Sequence, residues 1–373
     1  MNFNELGISE EIINILKLNN ITQPTPIQIE SIIPIKQGKD VIAEAQTGTG
    51  KTLAFLLPIF ENICQDKDEV QVLIITPTRE LALQITEEAI KLKEGKDINI
   101  LAAYGGKDIG SQLKKLKKSI HMIIATPGRL LDHLERKTID LSKLKTLILD
   151  EADQLLLMGF KNEMETIIKE TSKKRQTLCF SATLNSDVKK LAYRYMQDPI
   201  TISIKKEEFT LENIKQFVVE TTDRRKQDAL CTVLDQDNPY MAIIFCRTKR
   251  RADELEIAIY KRGYDCKKLH SDIVQAKRER IMKAFRNGDF QYLIATDVAA
   301  RGLDISGVSH IYNYDIPESV EGYIHRIGRT GRAGEDGYTC LFVDPKDYKA
   351  LEDIEKTINF KIPRRALTGG ING

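Results

Sequence analysis

Three short runs in this chain hold residue types whose spacing suits chemistry on phosphates. The first is AQTGTGKT, Ala45–Thr52, which follows an apolar stretch ending near Ala43 and precedes LAFLLPIF. A strand, a glycine-rich loop and a helix start would present the backbone N–H groups of Gln46, Thr47, Gly48, Thr49 and Gly50 to phosphates. Lys51 would face the β/γ-phosphates and the Thr52 hydroxyl would face Mg²⁺. Ala45 stands where the general GxxxxGK[ST] pattern has its first glycine, and the run alone predicts an NTPase and nothing narrower. The second run is Asp150-Glu151-Ala152-Asp153, directly after the apolar Leu147–Leu149. That places it at a strand's carboxyl end, where open α/β sheets bind ligands. Asp150 is expected to hold Mg²⁺ and Glu151 to orient and deprotonate an attacking water. An acidic helix cap is the plain alternative, and the phosphate loop nearby favours catalysis. The third run, HRIGRTGR at His325–Arg332, sets Arg326, Arg329 and Arg332 at every third position, with two glycines that let backbone approach phosphate.

These runs need a scaffold, and the chain alternates short β-branched apolar runs with longer amphipathic stretches, the pattern of a parallel sheet covered on both faces. Expected strands are 40–43, 70–76, 122–125, 146–149 and 177–180, then 241–245, 292–295, 310–314 and 338–343. The polar stretch SIKKEEFTLEN, Ser203–Asn213, breaks the pattern. It divides the 373 residues into an expected domain at 1–204, a linker at 205–213 and a domain at 214–373, with a cleft between two lobes. A net charge of +2 does not mark a nucleic-acid binder, so any basic surface is local. The six scattered cysteines form no CxxC and read as reduced thiols. The start MNFNELGISEE has no leader pattern and no apolar run is long enough to span a membrane, so a cytoplasmic protein is expected.

In order along the chain, AQTGTGKT, PTREL (Pro77–Leu81), DEAD, SAT (Ser181–Thr183) and HRIGRTGR resemble the motifs of the DEAD-box ATP-dependent RNA helicases, from Phe3 to at least Val343. The resemblance implies two tandem RecA-like α/β domains, each a mostly parallel sheet covered by helices. It implies an RNA-dependent ATPase that hydrolyses ATP to ADP and phosphate, with Mg²⁺, to unwind short RNA duplexes or remodel RNA–protein complexes. Under it NITQPTPIQ, Asn20–Gln28, is the Q motif, with Asn20 in place of the usual glycine. Gln23 and Gln28 then serve the adenosine, the Gln28 amide meeting the N6/N7 edge of adenine while Phe3 stacks on the base. ARGLD at Ala300–Asp304 contributes Gly302 and Asp304 at the ribose, Arg329 and Arg332 are arginine fingers, and His325 contacts the DEAD segment. Lys51, Asp150 and Glu151 complete the catalytic set.

The RNA track implied by the resemblance runs through Pro77, Thr78, Arg79, Gly105, Gly106, Thr126, Pro127, Gly128 and Arg129 in the first domain. In the second it takes Arg247, Gln275, Arg278, Thr296 and Asp297, with Ser271 where the family commonly has glycine. Hydroxyls, guanidinium groups and bare backbone read sugar and phosphate, giving affinity for single strands or short duplexes without sequence preference. Ser181 and Thr183 are assigned to coupling. An ATP-gated RNA clamp with little strand separation uses nearly the same residues and stays open as an alternative. A DNA-directed ATPase is disfavoured by the motif wording, and a P-loop kinase leaves the second domain unexplained. The short stretch after Arg332 is expected to leave no room for an added RNA-binding domain.

Overall fold

The computed structural model describes residues 1–46, 48–94, 96–106, 119–204, 214–300, 308–330 and 337–367, and the statements of structure concern these. The chain divides into two compact units, Met1–Lys206 and Glu207–Gly373. The linker expected at 205–213 lies outside the described residues.

The first unit holds a seven-stranded sheet of β1 (Val41–Glu44), β2 (Val72–Ile75), β3 (Ile100–Ala103), β4 (Met122–Ala125), β5 (Thr146–Leu149), β6 (Gln176–Ser181) and β7 (Ile200–Ser203). Every pairing is parallel, in the order β3-β4-β2-β5-β6-β1-β7. Its helices are α1 (Glu10–Leu18), α2 (Pro26–Lys36), α3 (Lys51–Asn62), α4 (Arg79–Leu92), α5 (Pro127–Glu135), α6 (Ala152–Leu157), α7 (Lys161–Lys169) and α8 (Ser186–Tyr195). Alternate strand residues feed two apolar clusters. Val41, Ile74, Ile148 and Phe180 pack with α1 to α4, whereas Ile42, Leu73, Leu149 and Cys179 pack with α5 to α8. Burial on both faces is why these strands read as continuous apolar runs.

The second unit holds a six-stranded sheet of β8 (Ile214–Glu220), β9 (Ala242–Cys246), β10 (Cys266–Leu269), β11 (Tyr292–Thr296), β12 (His310–Asn313) and β13 (Gly337–Val343), ordered β10-β11-β9-β12-β13-β8. It is parallel throughout. Helices α9 (Lys226–Asp237), α10 (Lys249–Tyr260), α11 (Gln275–Arg286), α12 (Asp297–Ala300), α13 (Val320–Ile327) and α14 (Tyr348–Thr357) cover it. The expected strands are all present to within two or three residues. Four more, β3, β7, β8 and β10, were not expected, and Ser203, the first residue of the polar stretch, closes β7. All six cysteines are free thiols, and no described helix is long and apolar enough to cross a membrane.

Candidate nucleotide and nucleic-acid sites

A parallel sheet gathers its carboxyl ends on one edge, and the strand order of the first unit therefore arranges the predicted segments in a row. Residues after β1, β6 and β5 carry the phosphate loop, Ser181–Thr183 and the acidic run. Residues after β2, β4 and β3 carry Thr78–Arg79, Thr126–Arg129 and Gly105–Gly106. The acidic run after β5 sits at the seam.

In the phosphate loop, Gly48 and Gly50 have φ of 87° and 89°, backbone that glycine alone adopts without strain. Lys51 opens α3 and is buried, with Nζ donating to the Ala45 carbonyl at 2.7 Å, while Thr49 Oγ1 donates to the Gln46 carbonyl at 2.7 Å. Thr52 is half-buried one residue further along α3. Gln28 reaches this loop from the third position of α2. Its Oε1 accepts the Thr25 N–H at 3.0 Å, and its Nε2 donates to the Gly50 carbonyl at 3.0 Å. A Cβ on Gly50 would lie 2.5 Å from that Nε2, so only glycine admits the amide. Both ends of the amide are thus engaged within the protein, and Gln28 is 2% exposed. Gln23 is exposed ahead of α2. Phe3, expected to offer its ring to a base, is 3% exposed and packs in the apolar cluster of α1 to α4. Asn20 has φ of 60°, which explains why asparagine can replace the family's glycine there, since its side chain tolerates left-handed backbone.

Asp150 and Glu151 follow β5 and are both buried. Burial pushes the Asp150 carboxyl up to about 7; the Lys51 charge opposes the shift and Glu151 adds to it. Its Oδ1 accepts the Glu151 N–H at 3.0 Å. Glu151 itself has φ 51° and ψ 51°, a left-handed conformation that costs a non-glycine residue on the order of 1 kcal/mol and persists where surrounding structure enforces it. Asp153, absent from the residues singled out by sequence, ties this run to β6. Its N–H donates to Ser181 Oγ at 3.2 Å, Ser181 Oγ donates to the Thr183 carbonyl at 2.8 Å, and Thr183 Oγ1 donates to Asp153 Oδ2 at 3.1 Å. The ring of bonds closes on itself. The signal for Asp153 was its place three residues after Asp150.

On the other half of the row, Thr78 caps α4 by accepting the Leu81 N–H at 3.2 Å, and Pro77 precedes it, buried. A Cβ on Gly105 would lie 3.0 Å from a terminal nitrogen of Arg79, so glycine makes room for the guanidinium. Gly106 follows with φ of 87°. Thr126 precedes α5, Pro127 is its first residue, Gly128 is exposed with open space around it, and Arg129 is half-buried, 3.8 Å from Asp132.

In the second unit, the Arg247 N–H follows β9 and donates to Asp315 Oδ2 at 2.9 Å, and its guanidinium lies 3.6 Å from Asp347. The same two aspartates flank Lys226, whose ammonium is held below its usual range by burial, against their attraction. Gln275 and Arg278 open α11 but are buried, and Arg278 donates to the His270 carbonyl at 2.9 Å. Arg278 thereby braces the loop after β10, while Gln275 Nε2 donates to Glu279 Oε1 at 3.3 Å. Thr296 closes β11 and Asp297 follows it, accepting both Nε and Nη2 of Arg326, at 2.6 and 2.7 Å. Arg326 is 2% exposed, bonds Asn313 and the Asp315 carbonyl, and lies over the Phe245 ring. Sequence spacing grouped it with Arg329, which is buried just past α13; structure makes it the hub of the unit. His325 is half-buried on α13. Thr47, Gly302, Asp304 and Arg332 lie outside the described residues.

A family model described as DEAD/DEAH box helicase matches residues 25–191, and one described as helicase conserved C-terminal domain matches 225–334. The DEAD-box ATP-dependent RNA helicase CshA of Bacillus cereus is 48% identical over 362 residues, 97% of this chain and 69% of that protein. The ATP-dependent RNA helicase CshA of Listeria monocytogenes is 49% identical over 356 residues, 95% of this chain and 68% of its own. Among solved structures, S. cerevisiae Dbp5 bound to RNA and ADP BeF3 matches with a TM-score of 0.90 and 30% identity, covering 98% of this chain and 95% of Dbp5.

Proposed function

This chain belongs to the DEAD-box family of ATP-dependent RNA helicases, and on that premise we propose that it is an RNA-stimulated ATPase that separates short RNA duplexes or remodels RNA–protein complexes. The observation that carries the reading is the row along the first sheet, with nucleotide-binding segments on one half, sugar-phosphate-binding segments on the other, and the Asp150–Asp153 run bonded to Ser181 and Thr183 between them. ATP phosphates take the loop N–H groups and the start of α3, and Lys51 exchanges the Ala45 carbonyl for phosphate oxygens. Gln28 exchanges Gly50 and Thr25 for the adenine edge, so base reading and loop opening are one event. Gln23, Gly302 and Asp304 bind the rest of the nucleoside.

The donor set suits Mg²⁺: a carboxylate, Asp150, that burial leaves short of positive charge, and a hydroxyl, Thr52, are hard oxygen ligands. When bound, the ion neutralises charge on the β- and γ-phosphates. Glu151 orients the attacking water and takes its proton. Arg329 and Arg332 neutralise charge on the transferred phosphoryl group, so turnover depends on residues of both units. Thr78, Arg79, Gly105, Gly106, Thr126, Gly128, Arg129, Arg247 and Thr296 bind sugar and phosphate of RNA, while Pro77, Pro127, Gln275, Arg278 and Asp297 position them. Asp153, Ser181, Thr183 and His325 couple the state of the ATP site to RNA. The protein works in the cytoplasm, where its free thiols stay reduced.

Release of a labelled strand from a short RNA duplex tests the reading. ATP should drive release, and Glu151→Gln should bind ATP and RNA without releasing the strand. A protein that grips RNA in ATP but never separates strands would be a clamp, and the unwinding assignment would fall.

A further inference from the structure

The two edges of the second sheet are treated differently. At β8 the chain covers its own edge: the Val218 N–H donates to the Pro363 carbonyl at 2.9 Å, and the Arg365 N–H donates to the Val218 carbonyl at 2.8 Å. At β10 no described strand lies beyond the edge. Helices α10 and α11 pack on opposite faces of the sheet there. They form the walls of a groove of about 730 Å³ that has β10 along its floor.

The walls are apolar. Ile257 and Tyr260 of α10 are 53% and 67% exposed, and Ile281 and Ala284 of α11 line the opposite side. The rim is basic, with Lys267 on β10 and Lys277 and Arg280 on α11 all exposed. Neither Lys277 nor Arg280 forms an ion pair with a described residue. On the floor, the outward Lys268 N–H donates to Glu256 Oε1 at 2.9 Å, and Lys268 Nζ is paired with the same carboxylate at 3.1 Å and with Asp253 at 2.8 Å. A carboxylate thus fills the place that a carbonyl of a neighbouring strand would take, beside a cation.

We propose that this groove docks an extended protein segment whose acidic residues alternate with apolar ones, added as a strand to the edge of β10. Strand addition supplies main-chain bonds, and alternate side chains enter the two walls. The four residues of β10 give a floor roughly 13 Å long. Lysines on an edge strand repel indiscriminate strand pairing, and the rim charges of Lys267, Lys277 and Arg280 welcome an acidic strand. RNA fits the site less well, since single strands bind by stacking on aromatic rings and the walls hold one exposed ring among aliphatic side chains.

The test is selection of random linear peptides on the intact protein, with the Ile257→Asp/Arg280→Glu double variant as counter-selection. Selected peptides should alternate Asp or Glu with β-branched or aromatic residues. A synthetic copy should bind at least about tenfold more weakly to the double variant, and should slow hydrogen exchange of the Cys266–Leu269 amides. Tyr260→Asp should weaken binding independently, and RNA-stimulated ATP hydrolysis of both variants should match the unaltered protein. Equal binding to the variants, selected peptides without acidic residues, or protection of β10 by oligouridine in place of peptide would overturn the proposal.

Discussion

Replacing Gln28 by Glu separates two roles that one side chain could fill. As the third residue of α2, glutamate would accept the Thr25 N–H as glutamine does, because either residue closes a capping box. It cannot donate to the Gly50 carbonyl. The lost bond is worth about 1 kcal/mol, and a carboxylate oxygen facing a carbonyl in a nearly closed site adds about 1–3 kcal/mol. A loss of about 2–4 kcal/mol lowers the thermal midpoint of a unit this size by about 4–16 °C. With nucleotide present, glutamate meets N7 of adenine with an acceptor, so ATP affinity should fall by about 1–3 kcal/mol, roughly 5- to 150-fold, while the preference over GTP, which has the same N7 acceptor, should persist. Calorimetry without nucleotide and ATP titration read the two effects. If Gln28→Glu leaves both the midpoint and the ATP affinity unchanged, Gln28 is only a helix cap and the coupling of base reading to the phosphate loop is refuted.

Relief of the left-handed backbone at residue 151 should make Glu151→Gly at least as heat-stable as the native chain while nearly abolishing hydrolysis; a clear drop in midpoint would show that the strain argument is wrong. Arg326→Met leaves the Asp297 carboxylate without its partner and should destabilise the second unit by about 3 kcal/mol in urea unfolding, so an unchanged midpoint would deny Arg326 its role as hub. Because burial raises the Asp150 carboxyl to about 7, it is neutral below that pH and ionised above it. Mg²⁺-dependent ATP affinity should therefore weaken as pH falls below about 7, beyond any change seen in Asp150→Asn. Without nucleotide the same carboxyl binds its proton more tightly folded than unfolded, so its contribution to stability is present below about 4 and lost as pH rises through about 7. Identical pH profiles for the native chain and Asp150→Asn would remove Asp150 from this role.

The strands legible in the sequence are the interior ones. Met122–Ala125 and Leu147–Leu149 are apolar without interruption because both faces are covered, and their length and β-branching mark them. The four missed strands are the four sheet edges. There one side meets solvent or a loop, so β10 reads Cys-Lys-Lys-Leu without an apolar period, and β7, Ile-Thr-Ile-Ser, alternates over only four residues, most of them exposed. The site showed the same division. The placement of Lys51 at a helix start and of Asp150 and Glu151 after a strand was legible because glycine spacing and strand ends constrain it locally. Asp153, the Gln28–Gly50 bond and Arg326 depend on hydrogen-bond partners from 11 to 30 residues away, which no local pattern encodes. Phe3 could not be placed from sequence, since an isolated aromatic near a terminus reads equally as a base platform or as core, and its packing partners lie far along the chain.

The central claim, that RNA held by one half of the first sheet's edge governs ATP hydrolysis on the other half, is tested most directly by phosphate release from the intact protein. Single-stranded RNA and DNA of equal length and matched sequence should be titrated separately, at fixed salt because phosphate contacts make affinity salt-dependent. Hydrolysis should rise many-fold with RNA, to a plateau that varies little with RNA sequence, should barely respond to DNA, and should vanish in Glu151→Gln. Hydrolysis at the same rate with no nucleic acid, or equal stimulation by DNA, would contradict the account.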